Sequence, residues 1–560
     1  MLFSSISNIK RFTIAVSIAM MMLSACSPQK EPVNILFLSV EDISPLIESY
    51  GVNDAETPNI SRLAEEGIKY THAYSTEGVC APSRSSIITG MHPASIGTEH
   101  MRTSKAHVVY RPVRKSERLP RTKILDINGD EVPGYSAVLP PDVKCFSEYI
   151  RANGYYCTNS VKCDYQFACP ITAWDESSAT AHWKDRPESK PFFSVINFTD
   201  SHESQVWARA SHEMLVDKDS VRLPEYYPEN EIVRTDVARV YSNIEELDQK
   251  IGEALKELED EGLLDNTIIF FYSDHGGPLL RQKRALGNSG LHVPLIVRFP
   301  DGQGAGTTCN DLVSLMDLGP TVMSILGIKP PEHMQGKAFL GKYQTNKKRD
   351  YIFGGSGRFD GQNDFRRSVL DGRYVYIRNY HPEVPEVLNN KYRKQLASVR
   401  EMYRLDTLNM LEGAPQRLFA KTKPEEEFYD LQSDLDEVNN QINNPEYIEI
   451  ISKMREALKN WQVKIDDKGF LPERMLVEQM WPGMIQPKTD VVKISEEKDN
   501  VILTSPTPGA SIGYQKNGKI GSKYWDLYYK PLCLTAGDTI RTRAIRIGYK
   551  HSTPVDFIKK

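Results

Sequence analysis

Val33-Asn34-Ile35-Leu36-Phe37-Leu38-Ser39-Val40-Glu41-Asp42 is a short apolar run, broken only by Asn34 and Ser39, that stops on two carboxylates. A continuous apolar stretch of this length reads as a strand buried on both faces, the habit of parallel sheets. Outward from it the same texture returns at Phe192 to Phe198, Thr267 to Tyr272 and Leu295 to Phe299. Helical patterns stand between these runs. Thr57-Pro58-Asn59 opens a helix reaching about Gly67, and Pro82 to Thr89 and Phe146 to Asn153 read as two more. Val240, Ile244, Leu247, Ile251, Leu255 and Leu258 lay one apolar stripe along a long helix from Val237 to Glu261. Strands alternating with helices predict an α/β layer fold with a mostly parallel central sheet. Ligands of such sheets gather beyond the carboxyl ends of the strands. Glu41-Asp42, Thr199 to His202 and Asp274-His275 all fall there, which is the structural reason to expect one site.

The chain has 560 residues, more than one hydrophobic core usually serves, so two or three domains are expected. Residues 33–349 carry the α/β pattern. Residues 350–465 are more polar; Ser368 to Ile377 reads as a hairpin around Asp371-Gly372 and Tyr447 to Trp461 as an amphipathic helix, together a smaller α+β subdomain. Residues 466–495, with Pro472, Pro482 and Pro487, read as a linker. Short strands at Val501 to Thr504, Ala510 to Tyr514, Tyr524 to Tyr528 and Thr539 to Ile547 make residues 496–560 a small immunoglobulin-like β-sandwich. With 40% hydrophobic and 26% charged residues the composition is that of a globular enzyme. The formal net charge of -5 argues against a general nucleic-acid binder and leaves room for a local basic pocket.

At the N-terminus Lys10 and Arg11 precede an apolar run from Phe12 to Leu23, then Ser24-Ala25-Cys26. Residues 1–25 read as a secretory signal, too short for a comfortable membrane span. Leu23-Ser24-Ala25-Cys26 resembles a bacterial lipobox, which makes Cys26 a lipidation site and residues 26–32 a tether. The expectation is an exported bacterial lipoprotein of the outer membrane, periplasm or cell surface, on the membrane through its lipid alone. A plain signal peptide with an incidental cysteine is the other reading. Of the eight cysteines, Cys157, Cys163 and Cys169 are evenly spaced but lack a paired C-x-x-C, so a disulfide or buried thiols are preferred to a zinc site.

The chemistry is concentrated in Cys80-Ala81-Pro82-Ser83-Arg84-Ser85-Ser86-Ile87-Ile88-Thr89-Gly90. A cysteine at a helix N-terminus is acidified and reactive, and an arginine one turn along can hold an anion. An ordinary helix with a buried cysteine fits the same residues. The whole string resembles the sulfatase signature, C-x-P-S-R followed by T-G, of the alkaline-phosphatase-like superfamily. The resemblance implies that a maturation enzyme oxidises Cys80 to formylglycine (3-oxoalanine). It continues through residues 33–460. Glu41-Asp42 resembles the family's calcium-binding acidic pair, usually Asp-Asp, and Asp274-His275-Gly276 the second metal pair. One calcium per chain, held by Glu41, Asp42, Asp274, His275 and the modified Cys80, is implied, with zinc or manganese kept open by the histidine. Lys283, placed before Gly290 and Val293-Pro294, resembles the sulfate-binding lysine, and a solvated loop lysine beside Arg281 and Arg284 is its bland reading. His202 resembles the family histidine that follows a strand. Gly154-Tyr155-Tyr156 through Lys162-Cys163-Asp164 is similar to G-Y-x-T…G-K-x-H, with Val161 for glycine and Asp164 for the second histidine, as in a polysaccharide-sulfatase and sulfamidase branch. Gly97 to Arg102 offers substrate contacts through His100 and Arg102, a surface loop being an equal reading. Phe428-Tyr429-Asp430-Leu431 with Asp434, Glu437 and Asn440 resembles a structural C-terminal signature. The last segment resembles the C-terminal domain of chitobiase-type glycosidases and is expected to pack on the enzyme.

In the implied mechanism one hydroxyl of the hydrated aldehyde attacks sulfur beside the metal and displaces the sugar oxygen; the second then expels sulfate. Arg84, Lys162 and Lys283 would neutralise the sulfate oxygens, and His202 would protonate the leaving oxygen. Asp164 would contact sugar hydroxyls or orient a lysine. The implied substrate is a sulfated polysaccharide or its oligosaccharides, such as ulvan, carrageenan or a glycosaminoglycan, with O-sulfate or N-sulfate. A phosphoester or phosphonate hydrolase of the same superfamily and a non-catalytic glycan-binding lipoprotein are the competing readings.

Overall fold

The structure is a computed structural model that describes residues 32–103, 123–359, 361–498 and 500–560. The signal segment and Cys26 lie outside the described residues. β1 (Asn34–Val40) is buried along its whole length. It lies between β5 (Phe192–Phe198) and β6 (Thr267–Ser273), parallel to both. Phe37 explains the burial: its ring centroid is 5.1 Å from those of Phe193 and Phe270, so aromatics of three neighbouring strands fill one face. Beyond β5 follow β3 (Tyr156–Ser160) and β4 (Glu176–Ser178), still parallel. On the other side β7 (His292–Arg298) runs antiparallel to β6 and to β2 (Gly67–Tyr74), and β2 carries β8 (Thr307–Cys309) and β9 (Val313–Ser314) in parallel, completing a nine-stranded sheet.

The mostly parallel α/β sheet is as expected, with informative differences. β2 escaped notice because Lys69, Thr71 and His72 interrupt its apolar residues; only part of the strand is buried. The helix at Cys80–Thr89 begins two residues earlier than expected, which puts Pro82 in the first turn, where no intrahelical partner awaits its missing N–H. The long helix spans Glu231–Asp260 and starts where Asn230 caps the Ile232 N–H at 2.8 Å; its buried stripe is the one read from the sequence.

A second sheet, β10 (Ile352–Phe359), β11 (Gln362–Leu370), β12 (Tyr374–Asn379) and β13 (Glu426–Asp430), is antiparallel in that order. Gly372, at φ 96, makes the β11–β12 turn, where an L side chain would be strained. The helix Ile448–Ile465 covers one face of this sheet through Met454, Leu458 and Trp461 against Val369, Tyr376 and Phe428. Residues 466–495 are not a linker. They contain the helix Glu473–Met480, and Val477 and Trp481 pack on Val132, Tyr135 and Ala137. The prolines bracket that helix instead of breaking it, Pro472 standing at its N-cap.

The last residues form β14 (Lys493–Glu497), β15 (Asn500–Thr504), β16 (Ser511–Lys516), β17 (Asp526–Tyr528), β18 (Leu532–Cys533), β19 (Thr539–Ile545) and β20 (Val555–Ile558). They make two antiparallel sheets over one core that includes Val501, Leu503, Ile512, Ile540 and Ala544. They also pack on the α/β part: Lys144 Nζ donates to Ser511 Oγ, and that hydroxyl to Glu148, both at 2.8 Å. Among the described residues the cysteines are free thiols, Cys145, Cys157 and Cys163 buried, and no helix is long and apolar enough to cross a membrane.

Candidate active site

The register Val40↔Phe198 and Val40↔Ser273 sets the ends of β5, β1 and β6 side by side. Whatever follows those strands must meet. Glu41-Asp42 leaves β1, Asp274-His275 leaves β6 and Thr199 to His202 leaves β5. Asp274 N donates to Val40 O at 3.0 Å and Asp42 N to Asp274 Oδ1 at 3.3 Å, so the two acidic pairs are stitched through backbone. Asp42 holds φ 55, a left-handed turn that swings its carboxylate under the N-terminus of the helix Cys80–Thr89. From β3 comes a kinked loop, with Val161, Asp164 and Gln166 at φ 62, 54 and 62, that delivers Lys162 and Asp164. Strained non-glycine backbone of this kind collects at functional sites.

Around fully buried Cys80 the Sγ lies 3.3 Å from His275 Nε2, 3.5 Å from Lys283 Nζ and 3.8 Å from Asp42 Oδ1. Lys283 Nζ donates to both Asp42 oxygens at 2.8 and 2.6 Å. At 1% exposure Lys283 is no solvated loop lysine. Its neighbours are also committed: Arg284 forks onto Glu203, and Arg281 pairs with Glu437. Arg84 reaches Asp274 Oδ2 through Nε at 2.9 Å and Glu41 Oε1 through NH2 at 3.1 Å. Lys162 donates to Glu41 and lies 3.5 Å from Asp164 Oδ2. Burial alone would neutralise Asp42, but the charge of Lys283 above all, with His275, holds its carboxyl well below the usual range. His202 goes the other way: burial, then Lys283, Lys162 and Arg102, hold it well below its ordinary value, so the free site carries it neutral. Its Nδ1 accepts from Ser204 N at 3.2 Å.

Asp42, Cys80, Asp274 and His275 offer ligand atoms all within 4.8 Å of one another, every one buried. His275 Nδ1 lies 2.9 Å from the Gly276 carbonyl; a proton donated there leaves the Nε2 lone pair facing the cluster. Burial opposes a charge on His275, yet Asp274, Asp42 and Cys80 together raise it to about 10, so negative charge dominates around its ring. The residues present therefore fit a divalent metal ion. Residue 80 is the encoded cysteine in this structure, so its Sγ marks where the oxygens of a formylglycine side chain would stand.

Glu41 stands apart from the other acidic residues of the site. Expected beside Asp42 as a ligand, it lies outside this group of four, its carboxylate turned to Lys162 and Arg84. His100 and Arg102, each offered as a substrate contact, have different surroundings. Arg102 is exposed and close enough to bear on His202. His100 is buried, with Nδ1 accepting from Arg358 N at 3.0 Å, and lines a different cleft. Sequence reasoning missed Asn197, which accepts from Arg84 and donates to Ser160 O at 2.7 Å and Lys162 O at 3.3 Å, tying two cations to one strand. Its polar side chain inside an apolar strand was the available signal. Glu437 and Asn440 serve structure, accepting from Asn288 N at 2.8 Å and Phe428 N at 3.0 Å.

Comparison with known proteins agrees with this geometry. Residues 33–127 and 139–328 match the family model Sulfatase, and residues 277–390 the model N-sulphoglucosamine sulphohydrolase, C-terminal. An ulvan-active sulfatase of Formosa agariphila is 42% identical over 93% of this chain and 90% of its own length. The human N-sulphoglucosamine sulphohydrolase is 23% identical over 83% of this chain and 96% of its own. A solved structure in complex with its substrate, D-glucosamine-2-N,6-O-disulfate, shares the fold at a TM-score of 0.52 and 16% identity, over 79% of this chain and 99% of that one. With the nucleophile position, the acidic pairs and the buried cations all in place, the chain belongs to the sulfatase family of sulfuric ester hydrolases.

Proposed function

We propose that this sulfatase removes sulfate esters from ulvan or its oligosaccharides, using residue 80 as formylglycine and one calcium ion. The observation that carries the reading is Lys283 Nζ, buried between Asp42 and the Cys80 Sγ, a cation placed where a sulfate oxygen would lie beside the nucleophile. The likeness to an ulvan-active sulfatase supports the choice of polysaccharide. Asp42, Asp274 and His275 would hold the metal, which supplies Lewis-acid stabilisation of negative oxygen. Formylglycine supplies, when hydrated, an oxygen nucleophile with a second hydroxyl on the same carbon. Two carboxylates favour calcium as a hard cation, and the imidazole leaves zinc or manganese as the alternatives.

The protein's own groups do the rest. Lys283, Arg84 and Lys162 offset the charge on the sulfate oxygens inside a dry site, where fixed cations need no reorganisation. Asp164 orients Lys162. In the free site burial first, and then the cations around it, hold His202 well below its ordinary value. A bound sulfate ester adds a negative charge among those cations and restores the basicity His202 needs to hand a proton to the leaving sugar oxygen.

The test uses protein from a host that matures sulfatases. The peptide carrying residue 80 should show an aldehyde by mass spectrometry, and elemental analysis should return calcium at one per chain. Sulfate release from ulvan, carrageenan and glycosaminoglycan oligosaccharides should favour ulvan, and aryl sulfate should outpace aryl phosphate. A faster aryl phosphate would move the chain to phosphoester hydrolysis. Full activity with an unmodified thiol would remove the nucleophile assignment. We further propose that Cys26 is lipidated and anchors the exported enzyme, on the support of Leu23-Ser24-Ala25-Cys26. Cys26→Ala should shift the protein from membrane to soluble fractions, and unchanged membrane association would refute the anchor.

A further inference from the structure

A cleft of about 290 Å³, distinct from the Cys80 cluster, opens among β10, β11 and the residues before Glu473. Three aromatics line it. Phe365 and Tyr380 stack with centroids 4.3 Å apart at 17°, and Phe470 stands edge-on to both, at 5.0 and 5.4 Å. Phe470 is 57% exposed, although a phenylalanine gains most from burial. His100 lines the same cleft. It is only 6% exposed, and its Nε2 has no hydrogen-bond partner among the described residues. A buried ring nitrogen without a partner is costly unless a ligand or solvent supplies one. The aromatic rings stand beside polar side chains such as Asn363, Asp364 and His381, and such a mixed lining suits a saccharide, whose C–H faces meet the rings and whose hydroxyls meet the polar groups.

Position says which molecule. Asp364 lines this cleft and also a second cavity bordered by Lys283, Arg284 and Phe359. Phe359 in turn packs on Val79 and Ala81, the residues that flank Cys80. Lys283, 3.5 Å from the Cys80 Sγ, and Asp364 thus link the nucleophile to the aromatic wall through the second cavity. We infer that the Phe365–Tyr380–Phe470 cleft, with His100, is a distal subsite that binds a neighbouring sugar ring of the saccharide whose sulfate reacts at residue 80. This rests on the proposed saccharide substrate and deepens it: the enzyme reads an oligosaccharide, not a single sulfated sugar.

The inference is tested with ulvan-derived sulfated oligosaccharides of increasing length. For the wild type, KM should fall about tenfold from monosaccharide to tetrasaccharide. Phe470→Ala, at an exposed position that tolerates truncation, should erase most of that gain while kcat on the tetrasaccharide changes little; Tyr380→Ala should do the same. A wild type with no length dependence, or a variant that keeps it, would overturn the subsite. If no saccharide releases sulfate, the proposed function fails instead, and the cleft is judged by calorimetry with a desulfated tetrasaccharide. Weaker binding by Phe470→Ala, at least fivefold, supports it, and equal binding refutes it.

Discussion

Two regions of this molecule bury charge to the same depth and use it differently. Around Cys80, Asp42 and Asp274 meet Arg84 and Lys283, and the carboxylate oxygens, the His275 nitrogen and the Cys80 sulfur converge to within 4.8 Å of one another. Between the catalytic sheet and the second sheet, Arg367 is equally buried but spends its donors pairwise: on Asp467 through Nε at 2.9 Å, on Glu99 at 2.8 Å and on the Ser356 carbonyl at 3.0 Å. Arg358 does likewise with Glu473, 2.8 Å from NH2, and with the Met101 carbonyl at 3.1 Å. The second network ties residues 99–101 to β10, β11 and residues 467–473, and its donors are matched within it. The first has ligand atoms aimed at a common point. Buried ion pairs alone therefore do not mark a site; convergence at adjacent strand ends does.

The comparison breaks first at Cys80. Cys80→Ala should lower sulfate release by about 10⁴-fold or more, as loss of a nucleophile does, while thermal melting shifts by only a few degrees. Residual turnover within tenfold of wild type would make the converging cluster no more functional than the paired one. The opposite pattern should hold for Arg367→Ala. Stranding Glu99 and Asp467 without their cation should cost about 3–5 kcal/mol in a urea titration. A loss below about 1 kcal/mol would show the pairs to be as weak as surface ones.

The smallest effect is a proton. Trp461 Nε1 donates to His92 Nε2 at 3.2 Å beneath the helix Ile448–Ile465. Burial, then Arg349, lowers the His92 pKa to about 3. The folded pKa is thus depressed below the unfolded value of about 6.5. Below that pH the unfolded chain takes up a proton the folded one refuses, so stability falls by about 1.4 kcal/mol per pH unit from this group. Denaturant midpoints at pH 6.5 and 5.5 should drop further for wild type than for His92→Gln, by about 1 kcal/mol. Equal drops would mean that this proton is not excluded.

Much of this was legible in local sequence. Val33 to Val40 reads as a buried parallel strand because its apolar run is short and unbroken enough to need cover on both faces. β2 did not, because a strand that mixes polar with apolar residues leaves a weak pattern; nor did the helix Glu473–Met480, hidden between prolines that in fact bound it. Within the site, the partners of Glu41 were not legible: adjacency to Asp42 places its Cα, and only the positions of Lys162 and Arg84 decide where its side chain settles.

By itself the sequence determined the strand ends that carry Glu41-Asp42 and Asp274-His275, a helix reaching Thr89 and the chemistry of the string from Cys80 to Gly90. These are properties of neighbours along the chain, set by burial patterns of a few residues and by side-chain type. Only the tertiary structure decided which of them meet. The order β3-β5-β1-β6 brings residues 41, 162, 202 and 274 to one edge, matches Lys283 to Asp42 across 241 positions, and sends His100 to a cleft apart from Arg102. Contacts of that separation depend on sheet order and register, which no local pattern encodes.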